Sequence, residues 1–378
     1  MLRALVAALV AALAAAALLA PASALAAPGR GLQRAVDGLV ARKGGPPGAI
    51  VIVRRGSHRQ VTRAGYADVR THRRIHTTDR MRIASVAKAF SGAVMLSLVA
   101  EGRVSADDTI GRWLPDLPAA WHPITIAQAL QHTSGLPDFS ESKAFRALLA
   151  EDLHRSFVPN SLWTFVAADP LHFTPGTAYR YSNTDNVIVA LVAQAVAGRS
   201  YTQLLRSQVT RPFGLRRTSL PSGWVIRAPF IHGYDVSGAR PQDISTLVSA
   251  SGAWASGGVV STPSNLERFA TAYVSARIFP RSVQRRQMRW VRGSSGPPGP
   301  GTNSAGLGIF RYRTRCGTVY GHTGNFPGYT QFFAATKDGR RAVTMSVSAV
   351  LTPTSNVRLY RVMRSVQERA VCSAFGRS

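Results

Sequence analysis

Ser85-Val86-Ala87-Lys88 opens an apolar run through Phe90, Val94, Met95, Leu98 and Val99 that stops at Gly102. The spacing predicts a buried helix, with Ser85 and Lys88 on one face one turn apart. A serine hydroxyl is a weak nucleophile until a base stands beside it. A lysine among apolar residues is such a base, because desolvation favours its neutral form. Ser85, in the first turn, also keeps a backbone N–H with no acceptor inside the helix, a candidate oxyanion donor. The same four-residue pattern recurs at Ser140-Glu141-Ser142-Lys143, in polar text that opens no apolar helix. Ser85 is therefore preferred as the nucleophile.

Two further words follow in order, Tyr181-Ser182-Asn183 and His322-Thr323-Gly324. The first lies in a loop after Pro175-Gly176 and before an apolar helix from Val187 to Ala197. From there Tyr181 can meet Lys88; a phenol near a cationic lysine is stabilised as phenolate and can move protons. Asn183 offers both a donor and an acceptor. The second closes an apolar strand, where Gly324 admits close approach to the backbone. Thr323 can donate to a substrate carboxylate, and His322 can brace the lysine and tyrosine.

Outward from these words, strands gather at the two ends of the chain and helices in the middle. Gly31 to Arg42 has helical spacing. Ala49 to Arg54 and Gln60 to Ala67 form a hairpin about Arg55-Gly56-Ser57. Arg292 to Gly306, rich in Gly, Ser and Pro, reads as a linker. Strands follow at 307–313, 318–322, 330–336 and 342–350, then a helix from about Thr354 to Ala370. Consecutive hairpins imply an antiparallel sheet that the two ends complete together. The expected class is α+β: an antiparallel sheet flanked by helices (residues 31–80 and 303–372) with an inserted all-helical lobe (81–302), in one catalytic domain over 27–378.

Residues 1–26 read as a signal peptide. A basic Met1-Leu2-Arg3 is followed by unbroken Ala, Leu and Val to Ala20, then Pro21 and the cleavage pattern Ala24-Leu25-Ala26. The expected location is secreted, extracellular or wall-associated. The net charge is +28, carried almost entirely by arginine. With no zinc-finger spacing, RNP-like stretch or isolated basic arm, nucleic acid is not the expected partner. The charge fits either a solvated basic surface with no specific partner or loose association with an anionic cell envelope. Export also permits a disulfide between Cys316 and Cys372. No metal is expected: His72 and His76 lack a third ligand. Trp254 either lines the cleft or fills the core.

The chain resembles the serine β-lactamase-like superfamily: penicillin-binding D-alanyl-D-alanine carboxypeptidases, class C β-lactamases and related esterases. Further matching stretches are Gln131-His132-Thr133-Ser134-Gly135-Leu136-Pro137, Ser256-Gly257-Gly258-Val259-Val260-Ser261-Thr262, Gly306-Leu307-Gly308 and Tyr320-Gly321 before His322. Histidine in the third word, and two cysteines so placed, are similar to secreted actinobacterial carboxypeptidases; class C enzymes usually have lysine there. The resemblance implies Ser85 as nucleophile, Lys88 as base, Tyr181 as proton shuttle and Asn183 holding the substrate amide. His322 and Thr323 would flank an oxyanion strand, with the N–H groups of Ser85 and Asn325 as the hole and no cofactor. It implies peptidoglycan stem peptides and β-lactams as ligands of a monomeric enzyme, with a β-lactamase or esterase as alternative and a non-catalytic wall-binding protein as a remote one. Two positions depart from the carboxypeptidases. Asn325 stands where threonine is usual, and the carboxylate-binding arginine falls on Arg311 or Arg313.

Overall fold

The protein is described by a computed structural model over residues 30–377. The expected signal peptide lies outside those residues. Helix α1 (Arg30–Val40) buries Leu32, Val36 and Leu39, one side chain per turn. Strand β1 (Gly48–Arg55) is buried from Gly48 to Val53, as its unbroken apolar run requires of a strand covered on both faces. It turns into β2 (His58–Asp68) through Gly56, whose φ of 61° is the left-handed conformation a two-residue hairpin loop needs. A short β3 (Arg73–Arg74) completes this edge.

The chain returns to the sheet only at β4 (Val291–Arg292) and β5 (Thr302–Gly306). There follow β6 (Ile309–Thr314), β7 (Gly317–Phe326), β8 (Tyr329–Ala335) and β9 (Arg341–Val347). All nine form one antiparallel sheet in the order β3-β2-β1-β9-β8-β7-β6-β5-β4. The two ends join where expected, with Ala49 opposite Val347 and Arg55 opposite Arg341.

The expected linker is a correction. Its two ends are the sheet's outer strands, β4 and β5, and Thr302 to Gly306 pairs with Arg313 to Ile309. Thr-Asn-Ser-Ala-Gly has little strand propensity of its own, so the ladder comes from tertiary pairing. Only the segment between, residues 293–301, is loop, and it folds onto the sheet's end beside β7.

Helices cover both faces. On one, α1 packs with the C-terminal helix over Val51, Val53, Phe332, Met345 and Val347. On the other lie Ala87–Ala100 (α2), Asn183–Ala197 (α3) and Pro263–Val274 (α4); the last of these brings Phe269 to stack 3.8 Å from Phe90 and edge-on to Phe333. Twelve of the fourteen residues of α2 are buried, so it is the central rod of the helical layer. The C-terminal helix is α5 (Val357–Ala374). Its Cys372 is bonded to Cys316 in the β6–β7 turn, with Cα atoms 5.1 Å apart. This ties the start of the motif-bearing strand to the last helix. Trp254 is buried edge-on to Tyr201 and belongs to the core. Among the described residues no helix is long and apolar enough to cross a membrane.

Candidate active site

The nucleophile's position follows from a bent entry into α2. Ala84–Val86 forms a single tight turn before the helix, and Ala84 holds φ 54°. A non-glycine residue there is strained, and the bend leaves Ser85 half-buried at the turn. Opposite it, β7 outruns its neighbour. Its last partner on β6 is Phe310 opposite Gly321, while its pairing with β8 continues to Phe326 opposite Tyr329. Residues 322–326 thus have one unpaired edge. Gly324 meets the elbow so closely that a Cβ there would lie 2.7 Å from the Ser85 nitrogen. The Ser85 N–H and the free edge of β7 therefore lie against each other.

Lys88 stands one turn on, fully buried. Its Nζ lies 3.2 Å from Ser85 Oγ, 2.7 Å from Asn183 Oδ1 and 2.7 Å from the Ser256 carbonyl. Burial brings its pKa from 10.5 down to about 7, opposed chiefly by nearby Asp138. Near neutral pH the amine is therefore substantially unprotonated and can accept the Ser85 proton.

The Tyr181 ring lies 4.9 Å from Lys88 Nζ. Its hydroxyl is buried without a hydrogen-bond partner. Burial raises its pKa, opposed by the nearby Ser85 hydroxyl. The phenolate expected from sequence is therefore corrected to a protonated phenol, because burial penalises the anion more than its neighbours stabilise it.

His322 is buried, with Nδ1 2.5 Å from the carbonyl of Thr323. Burial holds its pKa near 3, so the ring is neutral. Donation from Nδ1 leaves Nε2 as a bare, unpartnered acceptor. The ring stands edge-on to Phe310 at 4.9 Å and to Tyr181 at 6.5 Å. Thr323 donates its hydroxyl to the Pro297 carbonyl of the 293–301 loop, and the Tyr181 ring lies beside Gly296 of the same loop. Asn325 is half-buried on the free edge. Arg311 stands apart: its guanidinium donates to Ser304 and lies over the Trp290 ring.

The structure thus brings Ser85, Lys88, Tyr181, Asn183, His322 and Gly324 together, ties Thr323 to a neighbouring loop, and leaves Arg311 outside the cluster. It adds roles that sequence reasoning missed. The Ser256 carbonyl binds Lys88, a role no residue type signals. Asp138 and Ser140 hold Asn183; Asp138 directly follows the quoted 131–137 stretch and could have been weighed. His132 Nδ1 lies 2.8 Å from Asp185, which also accepts from Ser134 at 2.5 Å. Burial pulls His132 down to about 3 and pushes Asp185 up, so both favour uncharged forms. The His132 ring sits 4.5 Å from that of Tyr181 and backs it.

Residues 32–368 match the family described as Beta-lactamase. The chain belongs to that family. It is a serine hydrolase of the β-lactamase fold. Among solved structures it is similar to a D-stereospecific amidohydrolase from Streptomyces sp., at 30% identity and a TM-score of 0.77 over 88% of this chain and 97% of that one. It is also similar to the D-amino acid amidase from Ochrobactrum anthropi SV3 complexed with D-phenylalanine. There the identity is 25% and the TM-score 0.80, over 90% of this chain and 97% of that one. Penicillin-binding protein 4* of Bacillus subtilis (strain 168) is 25% identical over 294 residues, 74% of this chain and 63% of that protein. Protein flp of Staphylococcus aureus (strain MW2) is 30% identical over 53% of this chain and 40% of its own length. The chain spans less than two thirds of the length of these curated relatives.

Proposed function

We propose that this hydrolase cleaves the amide bond on the carbonyl side of a D-amino acid through an acyl-enzyme on Ser85. The observation that carries this is the buried Lys88 amine, near pKa 7 and 3.2 Å from Ser85 Oγ. Lys88 takes the hydroxyl proton as Oγ bonds to the substrate carbonyl carbon. The oxygen's negative charge settles between the N–H groups of Ser85 and Asn325. Tyr181 passes a proton to the leaving nitrogen and is reprotonated from the Lys88 ammonium, and the C–N bond breaks. Water then adds to the acyl carbon, its proton returning along the same pair, and Ser85 leaves as the hydroxyl.

Within this class we propose an exported D-alanyl-D-alanine carboxypeptidase acting on peptidoglycan stem peptides, with penicillins acylating the same serine. The histidine of the third word and the likeness to a penicillin-binding protein support it. One observation favours a second reading, hydrolysis of neutral D-amino-acid amides. Two of the groups expected to receive a terminal carboxylate are engaged elsewhere, Thr323 with Pro297 and Arg311 with Ser304 and Trp290. The test is intact mass with benzylpenicillin over time, beside release of D-Ala from a D-Ala-D-Ala peptide and of ammonia from D-alaninamide. An adduct on Ser85 with D-Ala release supports the carboxypeptidase. Ammonia release alone moves the substrate to amides. No adduct and no turnover of either would sink the acyl-serine reading. N-terminal sequencing of secreted protein tests export, with a start near Ala27 expected.

A further inference from the structure

We propose that Asp138 is a positioning residue that fixes which end of the Asn183 amide faces Lys88, and thereby aims the lysine lone pair at Ser85. The proposal rests on the acyl-serine reading above.

A neutral amine has two N–H donors and one lone pair. Around Lys88 Nζ stand two pure acceptors, Asn183 Oδ1 and the Ser256 carbonyl, each at 2.7 Å. They take both N–H groups. The lone pair is left for the third neighbour, the Ser85 hydroxyl at 3.2 Å. This arrangement holds only while Asn183 presents its oxygen. With the amide reversed, its NH2 would donate to the lysine lone pair and remove the base from Ser85.

Asp138 forbids the reversal. It is buried ahead of a short turn, Phe139–Glu141. Its Oδ2 accepts from both the backbone N and Nδ2 of Asn183, each at 2.9 Å. Its Oδ1 accepts from the Ser140 N–H at 2.9 Å and the Ser140 hydroxyl at 2.8 Å. Ser140 Oγ in turn accepts the other Asn183 amide hydrogen at 3.0 Å. Both hydrogens of Asn183 are thus committed to one corner. A carboxylate accepts only, so it would face the amide oxygen of a reversed Asn183 with no proton between them. Asn183 accordingly supports the base, rather than holding the substrate amide as the family resemblance implied.

The same carboxylate acts on the lysine through space. The charged or titratable groups around Lys88 are Asp138 and Asp185, the Tyr181 phenol, and the His132 and His322 imidazoles. Burial disfavours the charged form of Lys88, Tyr181, His132, His322 and Asp185. The Asp138 carboxyl, in contrast, meets four donors and exerts the largest pull opposing the fall in the Lys88 pKa. Removing its charge therefore withdraws the main support of the Lys88 ammonium and carries the lysine's titration to lower pH.

The experiment is the rate of Ser85 acylation by benzylpenicillin, read by intact mass between pH 5 and 9, with thermal melts. Asp138→Ala is expected to slow acylation by about a hundredfold. Asp138→Asn is expected to slow it less and to move the acid limb down by about one unit. Asp169→Asn, on the exposed surface, is the control expected to match wild type. Should Asp138→Ala fold poorly, the limb of Asp138→Asn decides. Rates within about threefold of wild type and an unmoved limb in the Asn variant overturn the proposal, as does a loss that only tracks the folded fraction. Unlabelled wild type would instead overturn the acyl-serine reading, and this proposal with it.

Discussion

Ser85-Val86-Ala87-Lys88 and Ser140-Glu141-Ser142-Lys143 have the same spacing and opposite fates. In the first, the lysine is fully buried, reaches back to its serine and titrates near 7. In the second, the lysine is exposed at the start of the helix Lys143–Glu151, and the serine hydroxyl donates a hydrogen bond to Asp138. What makes a base of a lysine is desolvation together with acceptors that orient its protons, and neither is written in the four letters. The second serine still serves the first site, since Ser140 Oγ holds the Asn183 amide.

The comparison breaks most sharply at the serines. Ser85→Ala is expected to abolish the benzylpenicillin adduct altogether, whereas Ser140→Ala keeps it; an adduct surviving Ser85→Ala would move the nucleophile. Next come the lysines. Lys88→Arg should lose as much acylation rate as Lys88→Ala, on the order of a thousandfold, because arginine keeps its proton at any working pH. Lys143→Ala should stay within about twofold of wild type. A Lys88→Arg enzyme with substantial rate would make Lys88 a fixed charge and not a base.

The pH profile sharpens the contrast further. Because the neutral amine is the active form and Lys88 titrates at about 7, acylation should rise with pH through about 7 and level off above it. Lys143→Ala should leave that limb in place. A rate that fell as pH rose through 7 would require a protonated lysine. A milder loss than at Lys88 belongs to Ser140. Its removal frees one Asn183 hydrogen while Asp138 retains the other, so Ser140→Ala should slow acylation by about threefold to tenfold, one neutral hydrogen bond's worth.

The parts of the fold that could be read from sequence are those whose signal is local. The β1–β2 hairpin, both terminal helices and the four strands from 309 to 347 carry apolar periodicity and turn residues. Residues 291–306 do not. Four of their contacts with the rest of the fold are carbonyls of a Gly/Pro-rich loop capped by Tyr179, Thr323, Tyr360 and Arg364. Such bonds depend on backbone position and leave no mark in residue type. The site divides the same way. Ser85, Lys88, Tyr181, Asn183 and His322 were legible as words. The protonation of Tyr181 and the orientation of Asn183 depended on burial and on partners more than forty residues away.

The pairing of β1 with β9 also sets a timetable. Ala49 finds its partner at Val347, and the Ser85 elbow finds Gly324 only once β7 is in place. Contacts so distant along the chain delay assembly, since loop closure must precede any gain from pairing. A chain emerging from its N-terminus carries Ser85, Lys88 and Tyr181 long before the strand that lies against them. The site is therefore incomplete until the C-terminal strands of the chain have been made.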